Sequence, residues 1–130
     1  LPEPKVGLAA GAGGLLRLPR QIGLKQAMGM ILTARHVSAQ EGYRMGFVTE
    51  VVPHAEVLAA AKRWAAEIAE CSPYAVQTSK EMAMQGLNYP GMEAASAAKY
   101  PMFAKLFTHA DAIEGPRAFA QKRKPNWADS

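Results

Sequence analysis

The spacing of apolar positions predicts a chain made mainly of helices. The clearest pattern lies between residues 55 and 71, where apolar side chains recur every three or four positions and charged side chains take the other side. The apolar stripe of this segment consists of Val57, Ala61, Trp64 and Ile68. Further helices are predicted at about residues 14–20, 24–33, 38–46, 72–87, 92–108 and 111–124.

Several of these helices have recognisable end signals. Ser38 is followed three residues later by Glu41, which is the spacing of a capping box. Gly46 is placed where a glycine commonly ends a helix. Ser72 followed by Pro73 predicts an N-cap with proline in the first helical position.

Three segments depart from the helical pattern. Residues 1–10 are predicted to be extended, because Pro2 and Pro4 both disfavour a helix. Residues 47–52 are rich in β-branched side chains and alternate loosely, so they are the best strand candidate. Pro101 interrupts the 92–108 segment and predicts a kink or break there.

Composition indicates a globular protein that favours an anionic ligand. Of the 130 residues, 49% are hydrophobic and 20% are charged, which suits one modest folded domain. Fifteen Lys and Arg side chains against eleven Asp and Glu give a net charge of +4, too small a surplus to indicate nucleic acid by itself. A single cysteine, Cys71, excludes an intramolecular disulfide and fits a reducing compartment. The sequence shows neither a signal peptide nor an apolar run of the ~20 residues that span a bilayer.

The first twenty residues combine a glycine cluster with an acidic side chain between prolines. The cluster at 11–14 lacks the dinucleotide fingerprint, because its third glycine would fall at Leu16, and no P-loop lysine follows. It is either a tight turn before a helix or a set of backbone N–H groups that faces an anionic or carbonyl group. The side chain of Glu3 is either exposed to solvent or held in one direction by the rigid backbone of Pro2 and Pro4. The chain begins at Leu1 without Met, so we expect it to be the later part of a longer protein.

Other candidate sites have weaker patterns. The three histidines, His36, His54 and His109, are far apart without metal-ligand spacing, so no metal site is predicted, and His109 near Asp111 is interpreted as a surface residue. The basic run at 121–124 either offsets a helix dipole or holds a phosphate. No G-x-S-x-G motif supports a serine hydrolase.

Three longer segments together resemble a known family. They are PEP-x-VGL-x-x-GAGG-x-x-RLPR at 2–20, LTAR-x-x-SAQEGYRMGFVTEVVP at 32–53 and EGPRAFAQKRKPNW at 114–127. In sequence and spacing they are similar to the later part of the crotonase superfamily, the enoyl-CoA hydratases and isomerases. The resemblance covers essentially the whole chain.

This resemblance implies an α-rich α/β fold, the C-terminal portion of a crotonase-like spiral of β-β-α units with a helical trimerisation arm. Residues 1–88 would end the spiral core, and residues 89–130 would form the arm that mediates oligomerisation and contacts CoA. It also implies an acyl-CoA substrate without any further cofactor, and a homotrimer or dimer of trimers that binds neither nucleic acid nor membrane. The enzyme would act in fatty-acid β-oxidation, in the cytoplasm or, if a targeting segment precedes it, in the mitochondrial matrix.

The resemblance assigns roles to four side chains. Glu3 stands where hydratases of this family have the second of two catalytic carboxylates, whereas the first glutamate and the oxyanion-hole N–H groups would lie upstream. Phe103 and Phe119 match aromatic positions that line the acyl or CoA pocket. Lys122 matches a lysine that contacts the phosphate or adenine region of CoA.

The implied activity is that of an enoyl-CoA hydratase, and three alternatives stay open. The chain could belong to an enoyl-CoA isomerase or another crotonase-type lyase, because the missing carboxylate decides between these reactions. It could be a non-catalytic CoA-binding or assembly module. A basic nucleic-acid binder is the third alternative, resting on residues 122–124 alone.

This sequence departs from the family pattern at two prolines. Pro101 and Pro116 lie in segments that are more regularly helical in the family.

Overall fold

The computed structural model describes residues 1–128, which form short helices joined by loops. Within this range there is no β-strand. The α-helices are α1 (Gly14–Gln21), α2 (Leu24–Thr33), α3 (Ala39–Met45), α4 (Val57–Ala69), α5 (Pro73–Gly86), α6 (Met92–Ala97), α7 (Pro101–Leu106) and α8 (Asp111–Ala120). Two 3-10 helices span Glu3–Val6 and His54–Glu56.

The chain divides into two compact units between Val57 and Leu58. In the first unit α1 packs on α2, which also contacts the 3-10 helix at Glu3–Val6. In the second unit α5 packs on α6 and α7. The functional boundary predicted between residues 88 and 89 lies inside the second unit and stays a prediction, and residues 129–130 of the predicted arm lie outside the described part of the chain.

The prediction of an extended segment at residues 1–10 is wrong for its central part. The chain forms the 3-10 helix Glu3–Val6, which Gly7 ends in the left-handed region with φ 75°. Proline lacks an N–H, but the first positions of a helix do not need one, and the fixed φ of Pro4 suits a helix start as well as an extended chain. The two prolines therefore position a turn instead of an extended segment.

The prediction of a strand at residues 47–52 is also wrong. The backbone N–H groups of Phe47 and Val48 both donate to the carbonyl oxygen of Gly42, at 3.1 and 3.3 Å, so the chain folds back onto the end of α3. High β-propensity reflects a fit to a paired, half-buried sheet surface. Because the described residues contain no partner strand, this segment is an irregular connection.

Gly46 ends α3 as predicted and gives a test of the local structure. Its φ is 94°, and its N–H donates to the carbonyls of Gly42 and Tyr43. We expect Gly46→Ala to lower the free energy of unfolding by about 1 kcal/mol, because only glycine adopts this conformation without strain. Gly29 is the matched control, since it lies inside α2 with no heavy atom within 4 Å of an added Cβ.

Gly29→Ala is expected to raise the free energy of unfolding by roughly 0.5–1 kcal/mol, since alanine is the better helix former. Urea denaturation of both variants measures the two changes. Changes of the same sign at the two positions would contradict the left-handed helix end at Gly46.

The helix starts and the proline break of the second unit are largely as predicted. Ser72 caps α5 by accepting the N–H of Ala75, and Pro73 is its first residue. The predicted 92–108 helix is broken, since α6 ends at Ala97 and Pro101 begins α7.

The last helix is shorter than predicted. It ends at Ala120 instead of near Lys124, and its N-cap residue is Ala110, whose side chain makes no cap. The carboxylate of Asp111 is engaged elsewhere, as described below, and Pro116 lies inside the helix without ending it. No helix within the described residues has the length and apolar character to cross a membrane.

Candidate active site

Glu3 lies at the first position of the 3-10 helix and is half-buried. Its backbone carbonyl accepts the N–H of Leu8 at 3.0 Å, so both ends of the turn are fixed. Its Oε2 atom is buried and has no hydrogen-bond partner among the described residues. Buried carboxylate oxygens are almost always hydrogen-bonded, so an unpartnered one marks a candidate functional group.

The glycine cluster lies at the start of α1, beside a cation of the same helix. Gly13 has φ 101°, and the guanidinium of Arg17 lies 2.8 Å from the position that a Cβ of Gly13 would take. Arg17 Nη2 also donates to the carbonyl of Ala12 at 2.9 Å. A side chain at position 13 would displace this guanidinium, so the glycine permits the close approach.

In the second unit Phe103 lines an apolar cavity of 550 Å³ between α5, α6 and α7. Phe103 is 40% exposed. Its ring packs edge to face on the ring of Phe107, with 5.5 Å between the two ring centroids. Phe103 is a predicted site residue, and the cavity that it lines includes further apolar side chains that the sequence analysis did not single out. Among them are Met82, Leu87, Met92 and Tyr100. All four belong to predicted helices, but nothing in their spacing showed which neighbours they would face.

Phe119 and Lys122 lie outside this cavity. The Phe119 ring, on α8, is 87% exposed, while the adjacent Ala118 is buried. Lys122 follows the end of α8, is exposed and has φ 51°. The structure therefore does not bring Phe119 to the cavity that Phe103 lines.

A charged pair that sequence reasoning missed holds the segment after α8. Arg123 donates from Nη1 and Nη2 to the two carboxylate oxygens of Glu114, at 2.6 and 2.9 Å. The N–H of Asn126 donates to Glu114 Oε1 at 2.7 Å. The hydrogen bonds from Arg123, followed by that from Asn126, lower the pKa of Glu114 to about 2. The carboxylate is thus ionised at every pH at which an enzyme ordinarily works.

Asp111 is the buried acid of the second unit. It accepts the hydroxyl of Ser72 at 2.5 Å and the N–H of Ala128 at 2.8 Å. Burial pushes the pKa of Asp111 upward, but these hydrogen bonds and the nearby His109 more than offset it, so its pKa lies below the ordinary value. His109 is half-buried and stacks on Tyr74 at 4.1 Å, so its interpretation as a surface residue is wrong.

Within residues 1–128, no group of three or more His, Cys, Asp and Glu side chains is arranged to hold a metal ion. The first unit offers a half-buried carboxylate for chemistry. The second unit offers an apolar cavity and an exposed lysine.

Comparison with known proteins gives one consistent family. The family model described as enoyl-CoA hydratase/isomerase matches residues 1–130. A carnitinyl-CoA dehydratase of Salmonella typhi is 33% identical over 130 residues, which cover 98% of this chain and 50% of that protein. This chain therefore spans about half the length of the curated relatives it matches.

Solved structures show the same relationship in three dimensions. The crystal structure of enoyl-CoA hydratase from Mycobacterium tuberculosis H37Rv has a TM-score of 0.92 and 34% identity, covering 99% of this chain and 51% of that one. Enoyl-CoA hydratase EchA1 from Mycobacterium marinum has a TM-score of 0.91 and 36% identity, covering 98% and 50%. The predicted crotonase-like fold is confirmed, with helices alone in the described portion. The chain belongs to the enoyl-CoA hydratase/isomerase family of the crotonase superfamily.

Proposed function

We propose that this chain is the C-terminal half of an enoyl-CoA hydratase, which adds water across the C2=C3 double bond of a 2-enoyl-CoA thioester. The observation that carries the proposal is the family match over all 130 residues, with Glu3 in the PEP motif. The half-buried, unpartnered carboxylate of Glu3 supports it. The longer polypeptide that contains this chain and the rest of the family's length is called the complete enzyme below.

The proposed reaction needs two carboxylates and an oxyanion hole. One carboxylate takes a proton from the water that attacks C3, and negative charge builds on the thioester oxygen of the resulting enolate. A carboxylic acid, or the same water, supplies the proton that C2 receives as this charge is discharged. Backbone N–H donors that face this oxygen stabilise it by roughly 3–4 kcal/mol each. Two carboxylates close together raise the pKa of one of them, which can then act as the acid. Glu3 is one member of this pair, so the 130 residues alone are proposed to be inactive.

Substrate binding is assigned to the second unit. Phe103, whose ring lines the apolar cavity, is suited to the acyl chain or pantetheine of the substrate, and the exposed Phe119 offers a second aromatic surface. Lys122 is suited to the phosphates of CoA, which fits the net charge of +4. Residues 89–130 form the proposed oligomerisation arm of a homotrimer or dimer of trimers. The proposed enzyme is cytoplasmic and needs no cofactor, since CoA enters as part of the substrate.

The decisive experiment follows the absorbance of the conjugated thioester of crotonyl-CoA. The complete enzyme should remove it by hydration, and a polypeptide that begins at Leu1 should not. Migration of the double bond in a 3-enoyl-CoA without hydration would instead support an isomerase. Binding of CoA without any turnover of either thioester by the complete enzyme would support a non-catalytic module. Turnover by the polypeptide beginning at Leu1 would contradict the proposed division of the two carboxylates.

A further inference from the structure

The backbone around Lys122 has an unusual conformation. Its φ of 51° places it in the left-handed region, which non-glycine residues adopt only at a cost. The N–H of Lys122 donates to the carbonyl of Phe119, and that of Arg123 donates to the carbonyl of Ala118, both at 3.1 Å. These are the two bonds of a Schellman helix end, at which the chain reverses direction, and a further contact that fixes the residues after Lys122 offsets the cost of a non-glycine residue there.

The Glu114 carboxylate supplies that contact. It accepts two hydrogen bonds from Arg123, the residue after Lys122, and one from the N–H of Asn126. Arg123 also donates from Nε to Gln121 Oε1 at 2.7 Å and from Nη1 to the carbonyl of Lys124 at 3.0 Å. The Glu114 carboxylate on α8 therefore fixes the residues that follow Lys122. The Arg123 guanidinium that it binds also contacts Gln121, the residue before Lys122.

The arrangement fixes the backbone of Lys122 while its side chain stays available. Lys122 is exposed, and it makes no ion pair with any residue in the described part of the chain. Arg123 is neutralised by the bidentate Glu114 pair, which has the geometry of the strongest side-chain ion pairs. Of these two adjacent cations, Lys122 is the one left to meet an anionic ligand.

We propose that Glu114 is a positioning residue, whose bidentate pair with Arg123 holds Lys122 in the left-handed conformation that presents its ammonium to a phosphate of CoA. This proposal rests on the proposed function, because it takes the substrate to be a CoA thioester. Fixing the backbone in advance removes an ordering cost from binding. A positioned cation of this kind acts on the phosphorylated part of the substrate and leaves the reacting double bond untouched.

The choice of substrate separates positioning from a general structural role. Crotonyl-CoA has the nucleotide phosphates, whereas crotonyl-pantetheine has the same acyl group and thiol arm without any phosphate. A variant that only loosens the fold affects both thioesters. A variant that misplaces Lys122 affects crotonyl-CoA alone.

The experiment compares Glu114→Gln, Lys122→Ala and the double variant in the complete enzyme. Glu114→Gln should raise KM for crotonyl-CoA by about 5- to 10-fold, with kcat and the KM for crotonyl-pantetheine changed less than about 2-fold. When Lys122 is already alanine, Glu114→Gln should raise KM for crotonyl-CoA by less than about a further 2-fold. The reason is that Glu114 acts only through the contact that Lys122 makes with the substrate. The matched control is Glu67→Gln, which breaks the exposed Arg63–Glu67 pair on α4 and should leave both KM values unchanged.

A second variant and a binding measurement cover the remaining outcomes. Arg123→Lys keeps the charge but loses the bidentate geometry, so it should give the same selective rise in KM if Glu114→Gln does not fold. Equal effects on both thioesters, or additive effects of Glu114→Gln and Lys122→Ala, would overturn the positioning role.

Absence of turnover by the wild-type complete enzyme would instead contradict the proposed hydratase. Calorimetry with CoA and with pantetheine then decides the role of Glu114. The positioning role is supported if Glu114→Gln binds CoA about 5- to 10-fold more weakly and binds pantetheine as the wild type does, which is the order expected for a lost preorganised contact. An unchanged Kd for CoA would overturn the positioning role.

Discussion

Replacing Glu3 by glutamine in the complete enzyme is expected to lower kcat for crotonyl-CoA hydration by about 10²- to 10⁴-fold, the usual contribution of a positioned acid or base. Glutamine keeps the length and shape of the side chain, but its amide neither accepts nor supplies the proton that the reaction moves. KM should change by less than about 3-fold, because the lost interaction belongs to the transition state.

The structure gives a specific reason to expect the effect at this glutamate. Its Oε2 is buried without a partner in the described residues, while the surrounding turn is fixed by backbone hydrogen bonds. Glu56, in the same compact unit, is exposed on the other 3-10 helix and serves as the matched control. Glu56→Gln should leave kcat unchanged. A rise in KM with unchanged kcat in Glu3→Gln would assign Glu3 to binding and would remove it from proton transfer.

Much of the fold could be predicted because the governing interactions are local. The cap at Ser72, the left-handed glycine at position 46 and the break at Pro101 each depend on residues within one helical turn. The strand expected at 47–52 failed for the opposite reason. A strand is stabilised by a partner that its own sequence does not specify, and here Gly42 takes the hydrogen bonds instead.

The candidate site divides in the same way. Glu3, Phe103 and Lys122 are predictions from motifs, but the burial of the first and the left-handed backbone of the last were not predictable from the sequence. Glu114 and Asp111 were missed because their partners are distant in sequence. Asp111 meets Ser72 across 39 positions, and Glu114 meets Arg123 only because the chain reverses after α8.

Loss of the Asp111 carboxylate is expected to destabilise the second unit strongly. Asp111 is 5% exposed and joins three parts of the unit, since it begins α8, accepts from the cap of α5 and accepts from Ala128 near the C-terminus. Asp111→Ala leaves the buried Ser72 hydroxyl and the Ala128 N–H without their acceptor. Hydrogen bonds to a charged group are worth about 1.5–3 kcal/mol each, but removal of the carboxylate also relieves the cost of burying its charge. We therefore expect the free energy of unfolding to fall by about 2–4 kcal/mol.

Urea denaturation of wild type and Asp111→Ala measures this difference at neutral pH. The matched control is Ser79→Ala on α5, which removes an exposed hydroxyl bonded within its own helix, to the Ala75 carbonyl. That change should stay within about 0.5 kcal/mol. A loss of the same size at positions 79 and 111 would show that Asp111 does not join the elements around it.

The pH dependence gives an independent test of the Asp111 contribution. Because the pKa of Asp111 is lower in the folded protein than its ordinary value of 3.8, the unfolded chain takes up the proton first as the pH falls. The stabilisation is therefore fully present above that value and is lost as the pH falls through the lower, folded pKa. The difference in the free energy of unfolding between wild type and Asp111→Ala should be constant from about pH 5 to 7 and should shrink below about pH 4. A difference that persists undiminished in acid would mean that shape, and not the ionised carboxylate, accounts for the stability at this position.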